Sequence, residues 1–410
     1  MTSGSLKTLS VLYIHTTGAF GGASKSLFEM LTGLIALNVS PNILLPKGRA
    51  FDASLSITNR VVSLRGVPQF DNTKFGHYRY LRWLILLREL YYMPFMFIAL
   101  LNAKRSWSEI KLIHVNEITA LLPAILAKLV FRVPLILHVR SVQAKPEITP
   151  LRSKVIYFLV SRYVDSLIAI DETVRSSLPE SMRVNVVHNG FSIDSFNEVA
   201  NNPEIKEKQR FRVAIVGGLL ELKGIFDFLE SAKISVMKGL DIEFMIVGEN
   251  ARQLKGIKAF ILKKMGFYRD VRKECEYFIQ ENSLQKNISM LRFVEDVSKV
   301  YRSIDVLCFP SHLNATGRPV FEAAFFHVPS IVAIENSLPD TFKPHETGLA
   351  IPQKNPQALA DAIEYFYRNP KEIERMGRNA YELAIKNFDS QRNAEKVLDI
   401  YRDVLSKCVS

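Results

Sequence analysis

Residues 305–332 read DVLCFPSHLNATGRPVFEAAFFHVPSIV. Val306, Leu307, Cys308 and Phe309 form a short apolar run closed by Pro310 and Ser311, the pattern of a buried strand. A polar loop follows. Pro319 then stands where a helix tolerates proline, in a first turn that continues through Glu322, Ala323 and Ala324. Such a strand, loop and helix start gathers donors for an anion. First-turn N–H groups have no partner inside their helix, so Gly317, Arg318 and Val320 are expected to donate to a phosphate while Glu322 accepts from hydroxyls. Pro319 has no N–H and offers none.

Working outward, the chain repeats this alternation of strand and helix. Leu9 to His15 reads as a strand, and TTGAFGGASKSLFEML after it places Gly18, Gly21 and Gly22 in a loop before a helix carrying Leu27, Met30, Leu31 and Leu34. Glycines there permit positive φ and close approach of a ligand, although the spacing is not GxGxxG and a simple tight turn is the lesser alternative. Ile110–Val115 and Val133–His138 read as strands around the helix LLPAILAKLVF, a βαβ unit. His138 follows PLIL at the expected strand end, where parallel sheets place ligands, and Arg140 is a further anion contact. Taken alone, a single histidine is more often a structural hydrogen-bonding group than a catalyst.

Strands Ser166–Ile170 and Val184–Val187 lead to HNGFSIDSF, whose Asn189-Gly190 step signals a turn. The polar stretch 197–210 reads as a linker between a domain at 1–196 and a second at 211–388, with a final helix at 389–410 packing back toward the first. The second domain opens with strand Phe211–Val216 and the loop GGLLELKG, so Lys223 sits just before a helix and can reach an anion over the sheet edge.

At 410 residues with 48% apolar and 23% charged side chains, the chain is long enough for two cores and leaves no room for long disorder. Its net charge of +12 favours anionic partners. Nucleic acid is not among those expected, since no nucleic-acid motif accompanies the charge. Cys275, Cys308 and Cys408 are scattered, which suits reduced thiols in a cytoplasmic protein. No acidic triplet suggests a metal. Two stretches, 74–105 and 251–273, interleave aromatic and basic residues. They suit an anionic membrane surface or, as plainly, core helices and a solvated charged face. In the first, Arg88, Glu89 and Pro94 are expected to interrupt the run and prevent a membrane span.

These motifs in this order resemble the retaining glycosyltransferases of family 4, which have the GT-B fold and use nucleotide-diphosphate sugars. That family carries two glutamates with seven residues between them and a glycine three after the first; Glu322 and Gly317 match, and Asn314 replaces the first glutamate. Gly21, Gly22 and Ala23 match its acceptor-side loop, Lys223 its diphosphate lysine, and the Asn189-Gly190 stretch with Asp194 and Phe196 the end of its first lobe. Gly218 stands where the family has an arginine.

The resemblance implies an α/β chain of two Rossmann-like doubly wound domains facing across a cleft. It places Glu322 on the ribose, and Lys223 with the Gly317, Arg318 and Val320 backbone on the diphosphate. Arg318 is a candidate for the missing cation, Val294 for the strand that receives the base, and His138 and Asn314 for the transferred sugar. His138, Lys223 and Asn314 are thus the expected catalytic residues. It further implies a metal-independent transfer without other cofactor. The expected donor is a UDP-sugar and the acceptor a lipid-linked saccharide, at the inner face of the plasma membrane, in surface-polysaccharide assembly. A nucleotide-sugar epimerase on the same fold and a non-catalytic sugar-nucleotide-binding partner remain as alternatives.

Overall fold

The computed structural model describes residues 8–73, 83–144, 150–191, 210–250, 269–292, 294 and 296–408. Expectations for the start of the 74–105 stretch, for Asp194, Phe196 and the linker, and for most of the basic segment after Glu249 fall outside these residues. Two units divide the chain: Met1–Ser192 with Asn387–Ser410, and Ile193–Lys386.

The first unit is built on a seven-stranded parallel sheet ordered β3-β2-β1-β4-β5-β6-β7. Its strands are β1 (Leu9–Ile14), β2 (Val39–Pro46), β3 (Val61–Leu64), β4 (Leu112–Val115), β5 (Leu135–Val139), β6 (Ser166–Ala169) and β7 (Val184–Val186). The register sets Val11 against Leu112, Ile113 against Leu135 and Leu137 against Leu167. Helices α1 (Gly22–Ala36), α2 (Arg49–Ser54), α3 (Ile85–Ser106), α4 (Leu121–Phe131), α5 (Pro150–Tyr163) and α6 (Glu172–Ser176) connect them. Period-two alternation divides the core. Val11, Tyr13, Leu112, Ile136 and Ile168 share one cluster with residues of α1, while Leu12, Ile14, Ile113, Leu135 and Leu137 share another with α3, α4 and α5. Burial on both faces is why these strands read as continuous apolar runs.

The second unit carries a six-stranded parallel sheet ordered β10-β9-β8-β11-β12-β13. Its strands are β8 (Phe211–Val216), β9 (Ile242–Val247), β10 (Ile288–Leu291), β11 (Val306–Phe309), β12 (Ser330–Ala333) and β13 (Gly348–Ile351). The helices of this half of the chain are α7 (Ile225–Met237), α8 (Val271–Glu281), α9 (Ser298–Ser303), α10 (Arg318–Ala324), α11 (Pro356–Arg368) and α12 (Pro370–Phe388). Arg212 on β8, 1% exposed, is held by the Glu243 carboxylate at 2.9 Å and by the Ser303 carbonyl at 3.2 Å. Pairing of this kind is what makes a buried guanidinium tolerable.

The last helix, α13 (Ser390–Lys407), belongs to the first unit and packs on α1. Its Tyr401 hydroxyl lies 3.1 Å from that of Tyr13 and 2.7 Å from Nδ1 of His114, and the Asn393 amide donates to the His188 carbonyl at 3.0 Å.

Helix α3 corrects one expectation. Arg88, Glu89 and Pro94 do not interrupt it; it runs unbroken for 22 residues with Pro94 inside. Glu89 is buried, accepting from the Gln69 N–H at 2.8 Å and from Arg88. Met96, Leu100 and Ala103 anchor the helix to the core, whereas Leu87, Leu90, Tyr91 and Ile98 are exposed. By length and composition it is apolar enough to cross a membrane.

Candidate functional site

In the second unit, β8 ends at Val216 and the chain turns through Gly217 and Gly218 into a short 3-10 turn, Glu221–Lys223, before α7. Gly224 links the two with φ +74, and a side chain there would come within 1.9 Å of the Pro310 carbonyl oxygen, so this turn demands glycine. The fixed turn aims Lys223 at the end of β11. Its ammonium lies 5.2 Å from the centroid of the Phe309 ring, and among the described residues no carboxylate pairs with it. Burial lowers its pKa from the usual lysine value. Lys223, Phe309, Ile225 and the Ile215–Leu219 strand end line one pocket, and the space beside Gly217 and Gly218 is open.

Phe309 also explains Gly317, the N-cap of α10: a Cβ there would sit 2.4 Å from the tip of the Phe309 ring. Glycine lets the helix start close over the aromatic. Glu322, 6% exposed, accepts from the Tyr301 hydroxyl at 2.8 Å and from the Arg318 Nε at 2.6 Å. Each carboxylate oxygen retains a lone pair for a further donor.

The structure bears on four of the expected residues here. The Val320 N–H is not available to a phosphate, because it donates to the Gly317 carbonyl at 2.9 Å in a tightened first turn. Arg318 pairs through its Nε with Glu322 one helical turn on, so its guanidinium is held against the carboxylate expected to meet the ribose. Asn314 adopts the left-handed region at φ +49 with its Oδ1 accepting from the Glu335 N–H at 2.9 Å, leaving its amide NH₂ as the group for a sugar. Val294 lies beyond the end of β10 rather than within a strand.

The carboxyl edge of the first sheet gathers a second set. β5 runs one residue past His138, so His138 is an inner strand residue, 3% exposed and on the face toward α1 and α13. Its ring is 5.4 Å from that of His114. Burial pushes its pKa well below the ordinary histidine value, with Arg140 adding to the effect. The strand-end position passes to Arg140. That guanidinium donates to Asn116 Oδ1 at 2.6 Å and to Asn189 Oδ1. Beside it, Glu117 follows β4 and donates no charge cheaply: burial raises its carboxyl to about 7, against the lowering by the Ile118 N–H, Ser141 and Arg140. Asn116 and Glu117 escaped the sequence reading, and Asn189 was read there as a turn residue only; standing one or two residues past a strand end was the sole signal for the first two.

The acceptor-side loop also differs in detail. Gly22 is already helical and Gly21 is its N-cap with an extended φ of −132, so neither uses a glycine-only conformation. Both have open space where a side chain would project.

Comparison with known proteins follows this division. Residues 20–195 match the family model "Glycosyltransferase Family 4", and residues 197–383 match "Glycosyl transferases group 1". The capsular polysaccharide biosynthesis glycosyltransferase CapM of Staphylococcus aureus is 23% identical over 256 residues, 59% of this chain and 62% of that protein. The UDP-Gal:alpha-D-GlcNAc-diphosphoundecaprenol alpha-1,3-galactosyltransferase of Escherichia coli is 22% identical over 235 residues, 55% of this chain and 56% of that one. The chain thus spans about three fifths of the length of these relatives. Among solved structures, Anabaena Alr3699/HepE in complex with UDP and glucose superposes with a TM-score of 0.72 at 17% identity, covering 96% of this chain and 99% of that one. Sucrose-phosphate synthase from Thermosynechococcus elongatus gives 0.70 at 17% identity, covering 97% and 100%. With two parallel sheets and these matches from residue 20 to residue 383, the chain belongs to the family-4 glycosyltransferases and has the GT-B fold.

Proposed function

We propose that the chain transfers a hexosyl or N-acetylhexosaminyl group, with retention of configuration, from a UDP-sugar to a lipid-linked saccharide during surface-polysaccharide assembly. The observation that carries the donor half is Lys223: a half-buried ammonium without a carboxylate partner among the described residues, beside the open Gly217-Gly218 turn. Such a charge suits a diphosphate. The UDP bound in Alr3699/HepE and the UDP-Gal named for the Escherichia coli relative support the choice of base.

In this reading Glu322, held by Tyr301 and Arg318, accepts from the ribose hydroxyls, and the backbone at Val294 meets the base. The Gly317 N–H and Lys223 hold the diphosphate, and the Asn314 amide donates to the sugar. The bond from the anomeric carbon to the diphosphate oxygen breaks with its electron pair leaving on that oxygen, where Lys223 stabilises it. The acceptor hydroxyl forms its bond to the same carbon on the same face and passes its proton to the departing phosphate. Lys223 supplies positive charge there without a metal ion. His138 lines a small pocket with Arg140, His188 and Asn189, and its Nε2, without a hydrogen-bond partner among the described residues, is in this reading the group for the transferred sugar.

For the acceptor, the diphosphoundecaprenol named for the Escherichia coli relative and the exposed apolar face of α3 support a lipid-linked saccharide at an anionic membrane surface, from the cytoplasmic side. Along that side α4 packs beside α3 and α5 beside α4, and Leu129, Leu151, Val155 and Phe158 are exposed as well.

The test exposes the purified chain to a panel of nucleotide sugars, with and without membrane lipid extract and with and without EDTA, and measures free nucleoside diphosphate. Release that requires the extract and survives EDTA is expected. Isomerisation of the donor sugar without release of nucleoside diphosphate, and without need of the extract, would favour an epimerase. UDP binding with no turnover under any condition would favour a non-catalytic partner, the reading that Asn314 in place of glutamate supports.

A further inference from the structure

Four side chains at the carboxyl edge of the first sheet form a chain of hydrogen bonds whose direction chemistry fixes. A guanidinium can only donate, so the Arg140 Nε at 2.6 Å makes Asn116 Oδ1 an acceptor and leaves Asn116 Nδ2 as a donor. That Nδ2 lies 3.0 Å from Nδ1 of His15, which must therefore be the unprotonated ring nitrogen. The His15 proton then sits on Nε2, 2.9 Å from Ser24 Oγ, and the Ser24 hydroxyl is left to donate to the Ala19 carbonyl at 2.8 Å. Ala19 lies in the turn before Gly21, and Ser24 in the first turn of α1. His15, Asn116 and Ser24 are each 0–1% exposed, so water does not compete for these bonds. Burial, with the nearby charge of Arg140, lowers the His15 pKa to about 3, and the ring stays neutral at ordinary pH.

We infer that Arg140 is a positioning residue, which through Asn116, His15 and Ser24 fixes the backbone of the Thr17–Gly22 turn on which the acceptor is received. The acceptor half rests on the function proposed above; the relay itself rests on the hydrogen bonds alone. Arg140 also donates to Asn189 Oδ1, so one guanidinium ties the ends of β4 and β5 to the turn after β7. A structural cation would need none of this directionality. A positioning role predicts that reversing the relay matters even when the bonds from Arg140 to residue 116, from there to His15 and from His15 to Ser24 are all kept, because only the Ser24 bond to the Ala19 carbonyl is lost.

Asn116→Asp performs that reversal. The carboxylate still accepts from Arg140 but now accepts from His15 as well, moving the ring proton to Nδ1 and turning Ser24 away from the Ala19 carbonyl. Ser24→Ala removes the final link with little change of volume. The full chain, labelled with ¹⁵N at its histidines and assigned with His15→Gln, is expected to show His15 protonated at Nε2, and the Asn116→Asp chain at Nδ1. Extract-dependent release of nucleoside diphosphate should fall roughly ten- to a hundredfold in both Asn116→Asp and Ser24→Ala, with UDP affinity by calorimetry unchanged. A native His15 protonated at Nδ1, or both variants releasing nucleotide at the native rate, would overturn the inference. The expected tautomers in a native chain that ignores the extract would keep the relay and overturn the acceptor reading.

Discussion

Lys223 and Phe309 face each other across 5.2 Å, ammonium to ring centroid, and that ring also fills the space a side chain at Gly317 would need. One aromatic thus sets the positions of both the cation before α7 and the start of α10. The sequence places these parts some ninety residues apart; the adjacent strands β8 and β11 bring them together.

Removing the charge while keeping the stem tests the cation. Lys223→Met should fold normally, since it deletes a desolvated charge, and should lower the transfer rate roughly 100- to 1,000-fold. Nucleotide release and a thermal melt measure the two. A near-native rate would take Lys223 off the diphosphate.

Gly317→Ala places a methyl against the Phe309 ring, which must move. A loss of about 1–3 kcal/mol in stability is expected from overpacking, with weaker UDP binding as Phe309 shifts from beside Lys223. Urea unfolding and calorimetry report these separately; unchanged UDP affinity would mean that the ring does not organise the donor site.

Tyr401→Phe leaves His114 Nδ1 and the Tyr13 hydroxyl without a common partner inside the core. The expected cost is about 1–3 kcal/mol. Equal denaturation midpoints for the two chains would show that the hydroxyl contributes nothing net.

Glu117 gives a pH signature. Its folded carboxyl titrates near 7, above the unfolded value near 4.5, so the folded chain holds the extra proton between those limits. The stability it contributes is therefore present below the unfolded value and is lost as pH rises through about 7. Relative to the native chain, Glu117→Gln should gain roughly 1–3 kcal/mol on going from pH 5 to pH 8. A difference in stability that is flat across this range would place the Glu117 titration outside it.

The outward face of α3 is tested by charge. Leu87→Glu combined with Leu90→Glu alters two exposed side chains and should leave the melting temperature unchanged. It is expected to abolish flotation with vesicles of anionic phospholipid at low salt. Flotation equal to that of the native chain would remove α3 from the membrane reading.

Periodicity and turn chemistry carry most of the architecture. Every strand read from an apolar run is present within about two residues, and the glycines at 224 and 317 stand where close approach requires them. What sequence could not supply was the last residue of a strand. β5 runs one residue beyond His138, which encloses that ring within the strand and leaves Arg140, on the same face two residues on, as the side chain past the strand end. Nor does sequence reveal how first-turn donors are used: Val320 bonds to Gly317, and Arg318 closes on Glu322. The outward apolar face of α3 was unreadable for a related reason. Its apolar residues cover the helix too widely for their spacing to say which face packs.

The return of α13 to the first sheet has a consequence for biosynthesis. Tyr13 and Tyr401, hydrogen-bonded partners, are 388 positions apart, and the whole second unit is made between them. On a ribosome, the second unit has its full sequence before the first does. The amino-terminal sheet must wait with its α1 face uncovered until the final helix emerges, reversing the usual order in which the domain translated first is completed first.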